Sequence, residues 1–181
     1  MRLRSPATET LAAGIAHVFG PVGMPLLTVA AATALAVRRR HLSPVSLLSA
    51  AGAGSLLMTI SGKNIVRRHR PRRDDAIPPY ETSPSFPSGH TLNATTIAGT
   101  LAYLLVLRQE RQLPQTLTIG AAGGTAIAVG LSRVLLGAHW FTDVVVGWTT
   151  GAGWLALVIT SHRLYLTSAA PGGPGGHAAA R

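Results

Sequence analysis

Five apolar runs, each near the length of a membrane span and each bounded by basic or loop-forming residues, constrain this chain more than any other feature. They cover residues 11–37, 44–62, 88–107, 116–136 and 144–160. About 20 predominantly apolar residues cross the hydrocarbon core of a bilayer as a helix. The first run is too long for one straight span and is broken by Gly20-Pro21 and Pro25. It divides into an interfacial or partly inserted helix over residues 9–19 and a span over 22–37. Composition agrees, because charged residues are only 12% of the chain and the apolar mass is largely Ala, Leu and Val with 20 Gly. Small residues let helices approach closely in lipid. The expected fold is an all-α, polytopic transmembrane helix bundle of about five spans plus the N-terminal interfacial helix. Residues 1–167 form one membrane-embedded domain, and the Gly-, Pro- and Ala-rich residues 168–181 are expected to be a disordered tail.

The formal charge of +10 is carried at the ends of the apolar runs. That placement suits anionic lipid head groups or a phosphorylated substrate better than nucleic acid. There is no Cys, hence no disulfide and no thiolate metal site. Residues 1–9 are basic and polar and show no signal-peptide cleavage pattern. GxxxG spacings at Gly120/Gly124 and Gly147/Gly151 align glycines on helix faces, which offers a route to a homo-oligomer.

Three stretches carry chemistry. In SRVLLGAHWFTD (132–143), His139 and Asp143 are four residues apart, so in a helix they share a face. A carboxylate on Nδ1 would leave Nε2 of His139 as nucleophile or base. The same spacing also suits an Asp143 that merely caps the next helix. In GKNIVRRHRPRR (62–73), Lys63, Arg67 and Arg70 fall on one face of a helix that Pro71 should stop. This cluster reads either as a snorkelling basic collar or as a dock for a lipid phosphate. In SFPSGHTLNATT (85–96), Pro87 suits a first helical turn, where Ser88 and Gly89 present backbone N–H groups to an anion. His90 lies beside them, able to protonate a leaving oxygen. Counting crossings puts all three stretches on one side of the membrane. The Arg38-Arg39-Arg40 cluster, with no acid near it, favours the opposite side as cytoplasmic, although both sides are basic.

Together these residues meet the needs of phosphomonoester cleavage without a metal or other cofactor. Lys63, Arg70 and Arg133 neutralise the phosphoryl oxygens, Ser88 and Gly89 complete the cradle, His139 oriented by Asp143 attacks, and His90 protonates the alkoxide. The rate should then be bell-shaped in pH. KNIVRRHRP (63–71), PSGH (87–90) and SRVLLGAHWFTD (132–143) also resemble, in order, the three-part signature of the type 2 phosphatidic acid phosphatase superfamily. Every fixed position is filled, and the similarity runs over residues 10–160. The resemblance implies a helical bundle, the same roles for these eight residues, and a lipid phosphate or diphosphate as substrate with no metal. Members in membranes usually have six spans, so the stretch before Gly20 stands where a first span is expected. Vanadate-dependent haloperoxidases share the motifs but are soluble and larger. A catalytically inactive, head-group-binding relative is the remaining alternative, and the intact histidines argue against it. The expected location is the cell membrane, with the site on the non-cytoplasmic side.

Overall fold

The helix at the centre of the bundle carries Thr, Asn and His among its apolar residues. In the computed structural model, which describes residues 4–78 and 80–168, it is α4 (Gly89–Val106). Around it lie α1 (Pro6–Val18), α2 (Gly23–Arg39), α3 (Ser43–Val66), α5 (Gln112–Leu135) and α6 (Phe141–Ser168). Among the described residues there is no strand. Thr91, Thr96 and Thr100 of α4 are fully buried. Thr96 donates to the Leu92 carbonyl at 2.9 Å and Thr100 to the Thr96 carbonyl at 2.8 Å. Each hydroxyl is therefore satisfied within its own helix, which lowers the cost of burying it away from water.

The five expected runs return as α2 to α6. By length and hydropathy, α3, α5 and α6 qualify as spans, and α1 with α2, bent by 54°, qualifies as a fourth. α4 falls outside that test on hydropathy, and it packs against α2, α3, α5 and α6. At 13 residues α1 is about 20 Å long, too short to cross alone. It starts with a Ser5/Thr8 capping box and Pro6 in its first turn. Arg4, just before it, donates to the Asp75 carbonyl, and Gly20, just after it, lies beside His90. So α1 lies across the end of the bundle where α5 and the α3–α4 linker meet.

Two boundaries differ from expectation. α3 stops at Val66, where Arg67 turns left-handed (φ 50°) and its N–H closes on the Lys63 carbonyl. Lys63, Arg67 and Arg70 therefore do not share a helix face, and the helix ends before Pro71 can stop it. At the far end of the chain α6 continues to Ser168, past the expected end at 160. The proposed tail from 169 onward lies outside the described residues.

Two of the three glycines of α6, Gly147 and Gly151, are spent inside the chain, and Gly153 is open. A β-carbon at Gly147 would lie 2.9 Å from Thr91 Cβ, and one at Gly151 would lie 2.9 Å from Thr95 Cβ. Gly120, Gly123 and Gly124 of α5 have nothing within 4 Å of such an atom. Gly151→Val should therefore destabilise the bundle by about 1–3 kcal/mol through overpacking on α4. Gly124→Ala should leave stability unchanged or slightly raised, since it removes only glycine's helix penalty. Thermal unfolding of the two variants in detergent checks the contrast.

Candidate active site

All eight expected residues gather at the end of the bundle that α1 crosses. The chain leaves α5 through Gly137 (φ 66°), and the N–H groups of Ala138 and His139 both close on the Arg133 carbonyl, at 3.1 and 3.2 Å. Gly137 is needed twice over: its conformation is left-handed, and a β-carbon there would lie 2.5 Å from the Asp75 carbonyl oxygen. That contact joins the α5–α6 loop to the α3–α4 linker, which is also held by an Ile77 N–H bond to the Leu136 carbonyl at 2.9 Å.

His139 sits in this loop, before α6 begins, rather than one helical turn below Asp143. Asp143 lies in the first turn of α6 and accepts the Trp140 N–H on Oδ2 at 3.0 Å, capping the helix. The same oxygen is 3.6 Å from His139 Nδ1. The capping reading of Asp143 is therefore what the geometry shows, while its approach to His139 is longer than a hydrogen bond. On the other side of the ring, Arg70 Nη1 lies 3.2 Å from His139 Nε2. A guanidinium has donors only, so this contact requires a lone pair on Nε2 and the proton on Nδ1, facing Asp143. The tautomer follows from the Arg70 contact, with Asp143 as the nearest anion to Nδ1. His139 is 2% exposed, and burial pushes its pKa below the ordinary imidazole value, with the Asp143 contact opposing and Arg70 adding to the shift. Its ring is neutral at pH 7.

Arg70 also donates to the Ala138 carbonyl at 2.6 Å and to the Ser83 carbonyl at 2.7 Å, so its position is over-determined. Its Nη2 reaches Glu81 at 2.7 Å, and the other oxygen of Glu81 accepts from Arg133. Arg133 is 4% exposed. Burial alone would raise the pKa of Glu81, but Arg133 and then Arg70 outweigh it and hold the carboxyl below its ordinary range. Glu81 is thus an anion lying across the buried Arg133 and the partly buried Arg70. Beside them an open cavity of about 200 Å³, lined in part by Arg70, Tyr80, Glu81 and Ala138, gives access from outside. Lys63 donates to Ser83 Oγ at 3.0 Å and to the Pro84 carbonyl, holding the same linker from below.

Ser88 is the N-cap residue of α4 and is fully buried. Its N–H, expected in the cradle, donates to the Asp143 carbonyl at 3.1 Å, and its hydroxyl accepts from Thr91 at 2.9 Å. Gly89 and His90 follow in the first turn, where N–H groups have no carbonyl four residues back within the helix. His90 Nε2 points at the α1–α2 elbow, 3.6 Å from where a β-carbon of Gly20 would stand.

Sequence reasoning missed Glu81, and it gave Arg68 no role beyond membership of the basic cluster at 62–73. Arg68 donates to Asp143 Oδ1 at 2.9 Å and to Thr142 Oγ1 at 2.6 Å. The signal available for Glu81 was scarcity, since the chain has 6 acidic residues against 16 Lys and Arg. Arg67 caps its own turn on the Asn64 carbonyl, Arg72 pairs loosely with Asp74, and Arg73 stacks on Tyr80.

A family model described as the PAP2 superfamily matches residues 43–166. Phosphatidylglycerophosphatase B of Bacillus subtilis is 32% identical over 154 residues, covering 82% of this chain and 72% of its own. A decaprenylphosphoryl-5-phosphoribose phosphatase of Mycolicibacterium smegmatis is 34% identical over 147 residues, covering 78% and 72%. Among solved structures, the transmembrane PAP2 type phosphatidylglycerolphosphate phosphatase from Bacillus subtilis superposes with a TM-score of 0.82 at 30% identity, over 90% of this chain and 80% of that one. Aquifex aeolicus LpxE gives a TM-score of 0.67 at 23% identity, covering 88% and 89%, a likeness of fold.

An anion that binds Arg70 and Arg133 has to displace Glu81. Glu81→Gln, which keeps the shape and removes the charge, should tighten binding of inorganic phosphate by about 1 kcal/mol, roughly fivefold. Titration calorimetry in detergent measures it, and unchanged or weaker binding would contradict the competition.

Proposed function

The chain belongs to the PAP2 superfamily, and from that premise we propose that it is an integral-membrane lipid phosphatase with His139 as its nucleophile. One observation carries the reading: Arg70 touches both His139 Nε2 and the carboxylate that bridges to Arg133. A phosphoryl group taking the place of that carboxylate would lie against the lone pair of Nε2. Arg70, Arg133 and Lys63 would offset its charge, with the first-turn N–H groups of α4 at Gly89 and His90 completing the cradle, since the Ser88 N–H is held by the Asp143 carbonyl.

In this scheme Nε2 forms the bond to phosphorus as the phosphorus–oxygen bond to the lipid breaks. The electron pair of the broken bond goes to the leaving oxygen, and His90 supplies its proton. Water then attacks the phosphohistidine, His90 accepts the water proton, and His139 departs as neutral imidazole with Asp143 on Nδ1. Substrates of this class are phosphatidic acid, phosphatidylglycerol phosphate and polyprenyl phosphates or diphosphates. The names of the relatives, a phosphatidylglycerophosphatase and decaprenylphosphoryl-phosphoribose phosphatases, support a lipid-borne phosphate. The open glycine face of α5 is where self-association through helix faces would occur, since that of α6 is filled by α4.

Phosphate release in micelles from these lipids, with EDTA present, tests the proposal. Wild type should turn over at least one of them and His139→Ala none; release unaffected by the substitution would sink the mechanism. Because His139 reacts as the neutral base and burial lowers its pKa, activity should persist to below the ordinary imidazole value and fall only as pH drops through that lowered value. The limb so measured belongs to the coupled site.

The site is proposed to face the non-cytoplasmic side of the cell membrane. The chain lacks Cys, so single cysteines report cleanly. Asp74→Cys, in the exposed linker, should react with an impermeant maleimide in intact cells, whereas Arg111→Cys at the opposite end should react only after lysis. The reverse pattern would invert the orientation.

A further inference from the structure

Arg68 lies outside the fixed positions of the motif, and it makes the shortest contact to the carboxylate behind His139. Asp143 is completely buried, and its two oxygens are divided between partners. Oδ2 takes the Trp140 N–H and faces His139 Nδ1, while Oδ1 takes Arg68 Nη1 at 2.9 Å. Arg68 is itself held at three points. Its Nη1 donates to Thr142 at 2.6 Å, its guanidinium carbon lies 5.4 Å from the centroid of the Trp140 ring, and its carbonyl accepts the Ser85 N–H at 2.9 Å. Trp140 in turn donates its indole N–H to the His69 carbonyl at 2.8 Å. Arg68 and Arg70, two residues apart in the non-helical segment after Arg67, therefore grip opposite ends of one Asp143–His139 pair.

We propose that Arg68 is a positioning residue for the phosphatase reaction: it clamps one oxygen of Asp143 so that the other stays turned to His139 Nδ1. A buried carboxylate with a free oxygen could rotate towards any donor, and its full charge would then act on the imidazole alone. With Arg68 in place that charge is shared, and the ring remains a neutral nucleophile. The other charged or titratable groups around the pair are Lys63 from α3, Arg70 and Glu81 from the linker, His90 from α4 and Arg133 from α5. Arg68 stands apart from them in pairing directly with Asp143.

The proposal rests on the phosphatase reading for what His139 does, but its geometry can be tested without turnover. Arg68→Gln removes the charge at similar length, and Arg68→Lys keeps it. The His139 ring is titrated by NMR in micelles on histidine-labelled protein, assigned with a His139→Gln sample, and pH–rate profiles are run in parallel. Losing the cation leaves Asp143 uncompensated and favours the imidazolium. The His139 midpoint and the acid limb of the rate should therefore both move up, by about half to one pH unit. kcat should fall about tenfold or more through misplacement of the ring, with KM unchanged. Arg68→Lys should return the midpoint and the limb towards wild type. An unmoved midpoint in Arg68→Gln, or a raised KM with the limb in place as a head-group contact would give, overturns the proposal. A wild type that releases no phosphate counts against the phosphatase reading alone, because the His139 midpoint still decides the role of Arg68.

Discussion

The site end of this bundle depends on the pairing of two guanidiniums, one buried and one partly buried, with one carboxylate. Arg70 and Arg133 come from different segments, and bringing them together without an anion would place like charges in a low-dielectric pocket. Glu81 supplies that anion from the linker. Once it is there, the linker is drawn over the ends of α3, α4 and α5, and Lys63 and Arg70 can bind its carbonyls at Ser83 and Pro84. The resting protein thus keeps an internal anion on the donors proposed for the substrate. A binding site for a doubly charged group need not stay unstable while it waits.

The helices solve a related problem in the opposite way. α4 carries Thr and Asn into the middle of the bundle, where unsatisfied hydroxyls and amides are expensive. Its threonines bond back to their own helix, and Asn93 accepts from Ser55 of α3 at 2.7 Å. The polar content that disqualifies α4 as a lipid-facing span is compatible with a helix surrounded by other helices. Hydropathy reports what meets lipid, so it under-reads a central helix that meets little of it.

This distinction explains what was legible in the sequence. The runs that became α2, α3, α5 and α6 could be read from composition, because lipid-exposed surface has to be apolar along a whole span, and the 88–107 run kept enough apolar residues to be read beside them. The residues of the three motif stretches could be placed at one end by counting crossings. What could not be read was the path of the chain after Val66. Arg67 adopts a conformation usually left to Gly or Asn, and nothing local announces it. The same is true of Arg40 at the end of α2. Because the helix stops there, Arg68 and Arg70 swing into the site, and a basic collar becomes two specific contacts. Glu81 was invisible for a related reason: its importance comes from two arginines far away in the chain.

Gly137 has a consequence for how this protein can vary. Surface linkers usually absorb insertions and deletions at small cost, since loop entropy grows slowly with length. The linker between α3 and α4 is instead pressed against the backbone of Gly137 at Asp75 and bonded to Leu136 through Ile77. A residue gained or lost near Asp75 would be passed straight to the main chain two positions from His139. Relatives of this chain should therefore accept length changes at the far end of the bundle, in the 107–112 connection, more readily than in this linker.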